Sequence, residues 1–195
     1  LTTMGFRGGL WLMAGLLGLL AVLVVFTLPS KLGAGVSSRT IKELFSKSSA
    51  VNTIALARIF LFGARDTWFV VALPVFLYAN GWSFWEVGGF LALWTMLYGL
   101  VQGVAPAIIR ITNASAISRS GTVGWAVALA LALIGISVCM IVEMGVPVLI
   151  TGLLVFGVFF AMNSSLHSFL IVAYAGSKKA AEDIGFYYAA NAAGR

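Results

Sequence analysis

Residues 54–78 read IALARIFLFGARDTWFVVALPVFLY, an apolar run interrupted by three charges, Arg58, Arg65 and Asp66. As a helix, a run of this length is long enough to cross the roughly 30 Å hydrocarbon core of a bilayer. Arg58 and Arg65 are seven residues apart, close to two helical turns, so both fall on one face with Phe62 between them. Asp66 lies about 100° further round than Arg65. Arg65 and Asp66 are near the centre of the run, and Arg58 is close enough to one end to snorkel. A charge at mid-depth costs on the order of 2.5–3.5 kcal/mol on insertion scales, so these groups must be paired or face water.

Working outward, the same length criterion picks out further runs at Gly8–Leu28, about Phe84–Ile109, Thr122–Val142 and about Val146–Ala175. The charged run itself extends from about Val51 to Tyr78, and a sixth begins near Ile184 and reaches Arg195. Apolar residues are continuous in each run, whereas a lipid-facing barrel strand alternates over about ten residues. Backbone groups inside hydrocarbon must be satisfied within the segment. The expected fold is therefore all-α, a polytopic transmembrane helix bundle. A chain that opens at Leu1 and stops at Arg195 inside a helical pattern reads as a fragment: residues 1–28 as a helix of a preceding half, 29–50 as a central loop, and 51–195 as an incomplete bundle.

Composition excludes the other classes. Hydrophobic residues make up 61% of the 195 and charged residues 9%, with a mean hydropathy of +1.05. A soluble domain carries about 25% charge. Disordered chains are poor in aliphatic and aromatic residues, and the single Cys139 rules out a disulfide scaffold. The net charge of +6 would suggest nucleic acid in a soluble protein. Here no stripe of basic and aromatic residues accompanies it, and no nucleic-acid partner is expected.

The basic residues instead follow the loops. Lys31, Arg39, Lys42 and Lys47 lie between the first two spans, Arg110 and Arg119 between the third and fourth, and Lys178 and Lys179 after the fifth. Arg7 alone lies on the other side, so the eight mark the cytoplasmic face. Within the first of these loops, Ile41–Phe45 reads either as a short amphipathic surface helix or as a plain linker.

Polar atoms are distributed unevenly among the spans. The first is apolar throughout, and the fourth has only Thr122, Ser137 and Cys139. In the third, Trp94, Tyr98 and Gln102 recur every four residues, and Gly99 and Gly103 form a GxxxG pair expected to mark close helix packing. The fifth carries Asn163, Ser164, Ser165, His167 and Ser168, with Tyr174 beyond. Asn163 and His167 are four apart and share a face. Candidate substrate-binding residues are Arg58, Arg65, Asp66, Tyr98, Asn163 and His167. Asp66 and His167 are the candidates for carrying a coupling proton. Guanidinium groups grip carboxylate and phosphate oxygens through paired hydrogen bonds, which favours an anionic solute. The structural alternative is that the arginines pair with Asp66 or with an acid on another helix.

Signals for catalysis are poor. One His, one Cys and no HExxH, CxxC or Walker pattern give neither a metal site nor a nucleophile, and no cofactor is expected. Three readings remain: a secondary transporter, a membrane-embedded enzyme acting on a phosphorylated lipid, and a structural membrane subunit.

The arrangement of apolar spans beside polar, cavity-type spans, the long basic loop, and the final segment Gly185-Phe-Tyr-Tyr-Ala-Ala-Asn-Ala-Ala-Gly-Arg195 together resemble the major facilitator superfamily, from its sixth transmembrane helix into its eleventh. More narrowly, Ala57–Phe76 with its Gly-Ala-Arg-Asp-Thr-Trp block, Gly81-Trp-Ser-Phe-Trp85 and Asn163-Ser-Ser-Leu-His-Ser168 are similar to the organoarsenical efflux permeases of the ArsJ type. This resemblance implies alternating access in a bacterial inner membrane and export of a small anionic solute, an arsenic-bearing analogue of a phosphorylated glycerate. It also implies a functional link to a glyceraldehyde-3-phosphate dehydrogenase and a partner in the missing N-terminal half of the transporter. In that fold the second and fifth spans would line the cavity, and the first and fourth would be peripheral. The superfamily's short-loop signature of Gly, Asp, Arg and Lys is not matched by the acid-free loop Arg110–Gly121.

Overall fold

The computed structural model describes residues 5–28, 47–112, 119–175 and 180–195, whose regular structure is entirely α-helical. The chain divides into two units, Leu1–Arg39 and Thr40–Arg195. Helix α1 (Gly5–Thr27) belongs to the first and is apolar beyond Arg7 in its first turn. The second holds α2 (Ser49–Phe69), α3 (Ala72–Ala79), α4 (Phe84–Thr112), α5 (Arg119–Ile141), α6 (Val146–Tyr174) and α7 (Ala180–Gly194). Among the described residues, five segments are long and apolar enough to cross a membrane: Arg7–Thr27, Ser49–Ala79, Phe84–Ile109, Gly121–Ile141 and Val146–Tyr174. They mark a membrane protein, and they coincide with the five complete runs read from the sequence. The loop stretch Ile41–Phe45, Lys178 and Lys179 lie outside the described residues, as do the side chains of Arg110 and Arg119.

The second span is not one helix. It breaks at Val70 and Val71, between α2 and α3, where Val71 has φ −124° and ψ −56°. The cause is Pro74: it has no N–H to offer the carbonyl of Val70, and its ring clashes with that carbonyl in a continuous helix. The chain recovers when Val75 N–H donates to Val71 O at 3.2 Å. Pro106 lies inside α4 without a comparable break.

The turns follow local chemistry. Gly81 takes φ +85° after α3, a conformation open to glycine at little cost. Ser83 and Glu86 then cap α4 reciprocally: the Ser83 N–H and hydroxyl both donate to Glu86 Oε2 at 2.7 Å, and Glu86 N–H donates back to Ser83 Oγ at 3.4 Å. Glu86 is thus a capping residue at the exposed start of α4.

Helix α6 is the centre of the second unit, in contact with α2, α4, α5 and α7. Its Leu153, Phe156 and Phe160 pack with Phe62, Leu77 and Trp94 in the main core. At the other end, Leu170 and Ile171 pack with Val51, Ile54 and Tyr187. Helix α7 runs along α2 in the same direction. Lys47, just before α2, meets Asp183 at 3.1 Å and Glu182 at 3.7 Å near the start of α7, and Asp66 meets Arg195 at the far end.

Glycine sets the closest approaches. A Cβ on Gly194 would collide with the backbone of Ile59, one on Gly63 would lie 3.1 Å from Gly194 O, and one on Gly157 would lie 3.2 Å from the Trp94 indole nitrogen. Gly99 and Gly103 behave differently from the expectation. No heavy atom among the described residues lies within 4 Å of a Cβ at either position. The GxxxG pair therefore faces away from α6, because Trp94 and Ala105 on α4 turn inward instead.

Candidate functional site

Arg58 does not snorkel. Its side chain is buried and crosses from α2 to α6, where Nη1 donates to Ser164 Oγ at 3.0 Å and to Ser164 O at 3.3 Å. Its guanidinium carbon lies 4.2 Å from the Phe62 ring centroid and 4.8 Å from that of Tyr187. Aromatic faces carry partial negative charge and so stabilise the cation without neutralising it. No carboxylate pairs with Arg58 among the described residues, and its Nε is buried without an acceptor.

Ser164 collects two more donors. Gln102 Nε2 donates to its Oγ at 3.3 Å, and the Tyr98 hydroxyl donates to the same Oγ at 3.4 Å. Both come from α4, one turn apart, which explains why the four-residue spacing mattered. Trp94, the third member of that stripe, is instead a packing residue, and its indole N–H donates to Leu153 O at 2.8 Å. Ser168, one turn beyond Ser164, donates to Ser164 O at 3.0 Å and lies 3.4 Å from the Tyr187 hydroxyl.

The second part of the cluster lies two turns along α2. Arg65 Nε donates to Asp66 Oδ1, and Arg195 Nε donates to Asp66 Oδ2 at 2.9 Å. The guanidinium carbon of Arg65 lies 4.7 Å from the Phe62 centroid and 5.2 Å from that of Phe160. Phe62 therefore serves both arginines, as their seven-residue spacing anticipates. Counting Arg58, Arg65 and Arg195 against Asp66, the cluster carries a formal charge of +2. Arg65, Tyr98 and Gln102 are half-buried and Arg195, the last residue, is more open.

The remaining candidates separate. His167 is buried within electrostatic reach of Arg58 and makes no hydrogen bond among the described residues, leaving Nδ1 without a partner. Asn163 lies on the opposite flank of α6. Its amide donates to Trp125 O on α5 and to Phe159 O, both at 2.8 Å, so it joins α5 to α6 rather than facing Arg58. Asn163 and His167 do share a helical face, but that face is divided between two neighbouring helices. Tyr174 is exposed beside Ala50, Thr53 and Leu170 and takes no part in the cluster.

Ser164, Gln102, Tyr187 and Arg195 complete the site and were not singled out as binding residues from the sequence. Ser164 stood next to Asn163 in the polar run, and Gln102 belonged to the four-residue stripe. Nothing local to Tyr187 or Arg195 indicates that α7 lies against α2.

Two apolar crevices, of about 430 and 460 Å³, lie away from these charges, one between α5 and α6 and one lined by α2, α3, α5 and α6. No group of three or more His, Cys, Asp or Glu that could hold a metal ion occurs among the described residues. No protein-family model matches the chain, nor does any curated protein or solved structure.

Proposed function

We propose that the chain is part of a secondary active transporter of the major facilitator type, in a bacterial inner membrane, that exports a small anionic solute by alternating access about a midplane site. A solute of the organoarsenical, phosphorylated-glycerate kind is the one the sequence resemblance implies. The observation that carries the reading is Arg58, a buried guanidinium with no carboxylate partner among the described residues and with Nε unsatisfied. An uncompensated charge inside a membrane helix marks a substrate path more often than a structural joint.

The donor balance supports the same reading. Arg58, Tyr98 and Gln102 bring N–H and O–H groups together where the only side-chain acceptor they reach among the described residues is one serine hydroxyl. A carboxylate or phosphate oxygen supplies what this cluster lacks. Asp66 is paired with Arg65 and Arg195, whereas Arg58 has no carboxylate partner among the described residues.

The test is solute flux in proteoliposomes containing the full-length protein. Arg58→Gln should abolish flux while the protein stays monodisperse. Undiminished flux would leave Arg58 a packing residue and remove the main support for the reading. Turnover of a phosphorylated lipid without translocation would favour an enzyme instead.

A further inference from the structure

Asp66 is the only carboxylate that meets an arginine among the described residues, and the way it meets two of them is unusual. Residues i and i+1 of a helix do not face each other. Arg65 must therefore reach around the helix surface to give Nε to Asp66 Oδ1. Arg195 arrives from α7 and gives its own Nε to Oδ2. Each arginine uses one nitrogen, and the four Nη nitrogens have no carboxylate partner among the described residues.

The two guanidinium groups are held differently. Arg65 is flanked by the Phe62 and Phe160 rings at 4.7 and 5.2 Å. Arg195 follows Gly194, which is pressed against Ile59 of α2, and its side chain is held by Asp66. Its side chain is 55% exposed, whereas that of Asp66 is 5% exposed. Arg65 is thus placed by its aromatic flanks as well as by Asp66, and with its side chain only 11% exposed the open edge of the site lies on Arg195.

We propose that Arg65 and Arg195 form a second oxyanion position, held in the empty protein by Asp66 as an internal surrogate and taken over by a carboxylate or phosphate group of the solute. It lies about 10 Å along α2 from Arg58, on the far side of Phe62. A solute group that engages the free Nη edges competes with Asp66 for the same cations, and the carboxylate gives way by a rotation about its own χ1. The surrogate offsets one of the two positive charges when no solute is present, which leaves this half of the cluster at +1. This inference rests on the anion-transport reading and deepens it.

The experiment is isothermal titration of inorganic phosphate into the full-length protein in detergent. Asp66→Asn should bind phosphate at least tenfold more tightly than the unaltered protein, and the gain should vanish in Asp66→Asn/Arg195→Gln. An Asp66→Asn protein that binds no more tightly overturns the surrogate role; the anion reading survives that result if Arg58→Gln removes the binding that is present. Absence of phosphate binding in every form overturns both. Should Asp66→Asn fail to fold, Arg195→Gln alone decides the matter: a tenfold weaker affinity supports the second position, and an unchanged affinity overturns it.

Discussion

Arg58 on α2 donates to Ser164 Oγ on α6 at 3.0 Å, and Tyr98 and Gln102 on α4 direct their own hydrogens at the same oxygen. A hydroxyl oxygen has two lone pairs, so three donors share it, and Arg58 Nη1 also donates to Ser164 O at 3.3 Å. Three helices meet at this atom, and each brings a donor or accepts one. The contact therefore fixes α2 and α4 on α6.

Ser164→Ala should remove the acceptor while keeping the donors buried. Loss of about 1–3 kcal/mol is expected in denaturant titration of the full-length protein. Ser164→Asp should act in the other direction on Arg58 by giving it a fixed counter-ion. Solute flux should then disappear from a protein that is no less stable than Ser164→Ala; retained flux would show that the Arg58 cation is not needed by the solute.

Arg65→Gln leaves Asp66 with Arg195 alone. Under the transport reading, flux should fall at least tenfold with normal folding, measured in proteoliposomes beside size-exclusion chromatography. Full flux would assign Arg65 to packing.

Asn163→Leu removes two hydrogen bonds, one of them between α5 and α6. Side-chain hydrogen bonds in membranes contribute about 0.5–1.5 kcal/mol, so a modest loss of stability is expected with solute affinity unchanged. A fall in affinity at constant stability would return Asn163 to the binding site.

Lys47 and Asp183 form a buried ion pair, with side chains 2% and 10% exposed. Removing one partner from such a pair costs about 3–5 kcal/mol, because the other charge is left unpaired. Lys47→Met should therefore destabilise strongly, and Lys47→Met/Asp183→Leu should recover most of the loss. Additive effects in this double-mutant cycle would mean that the pair does not join α2 to α7.

Gly194→Ala should force α7 away from Ile59, since the new methyl would meet backbone that cannot move alone. A loss of about 1–3 kcal/mol is expected. Gly99→Ala, where no heavy atom lies within 4 Å among the described residues, should leave thermal unfolding unchanged.

The spans were legible because bilayer thickness fixes their length and the hydrocarbon forbids unsatisfied backbone. The Gly8–Leu28, Phe84–Ile109 and Thr122–Val142 runs therefore agree with the helices to within a few residues. The common face of Arg58 and Arg65 was legible for the same kind of reason, since helical periodicity is a property of one segment. The interruption at Val70 was signalled by Pro74 but not determined by it, as Pro106 shows in α4. Which residues meet across helices was not legible. An apolar helix in a membrane has no water-facing side, so α6 shows no stripe to indicate that it is central or that Asn163 turns to α5 and Ser164 to α2 and α4. Sequence alone thus determined the helices and the charges they carry. The pairing of α7 with α2, which brings Arg195 to Asp66 and Tyr187 to Arg58, was decided only by tertiary packing, because it depends on glycine contacts and ion pairs between segments more than one hundred residues apart.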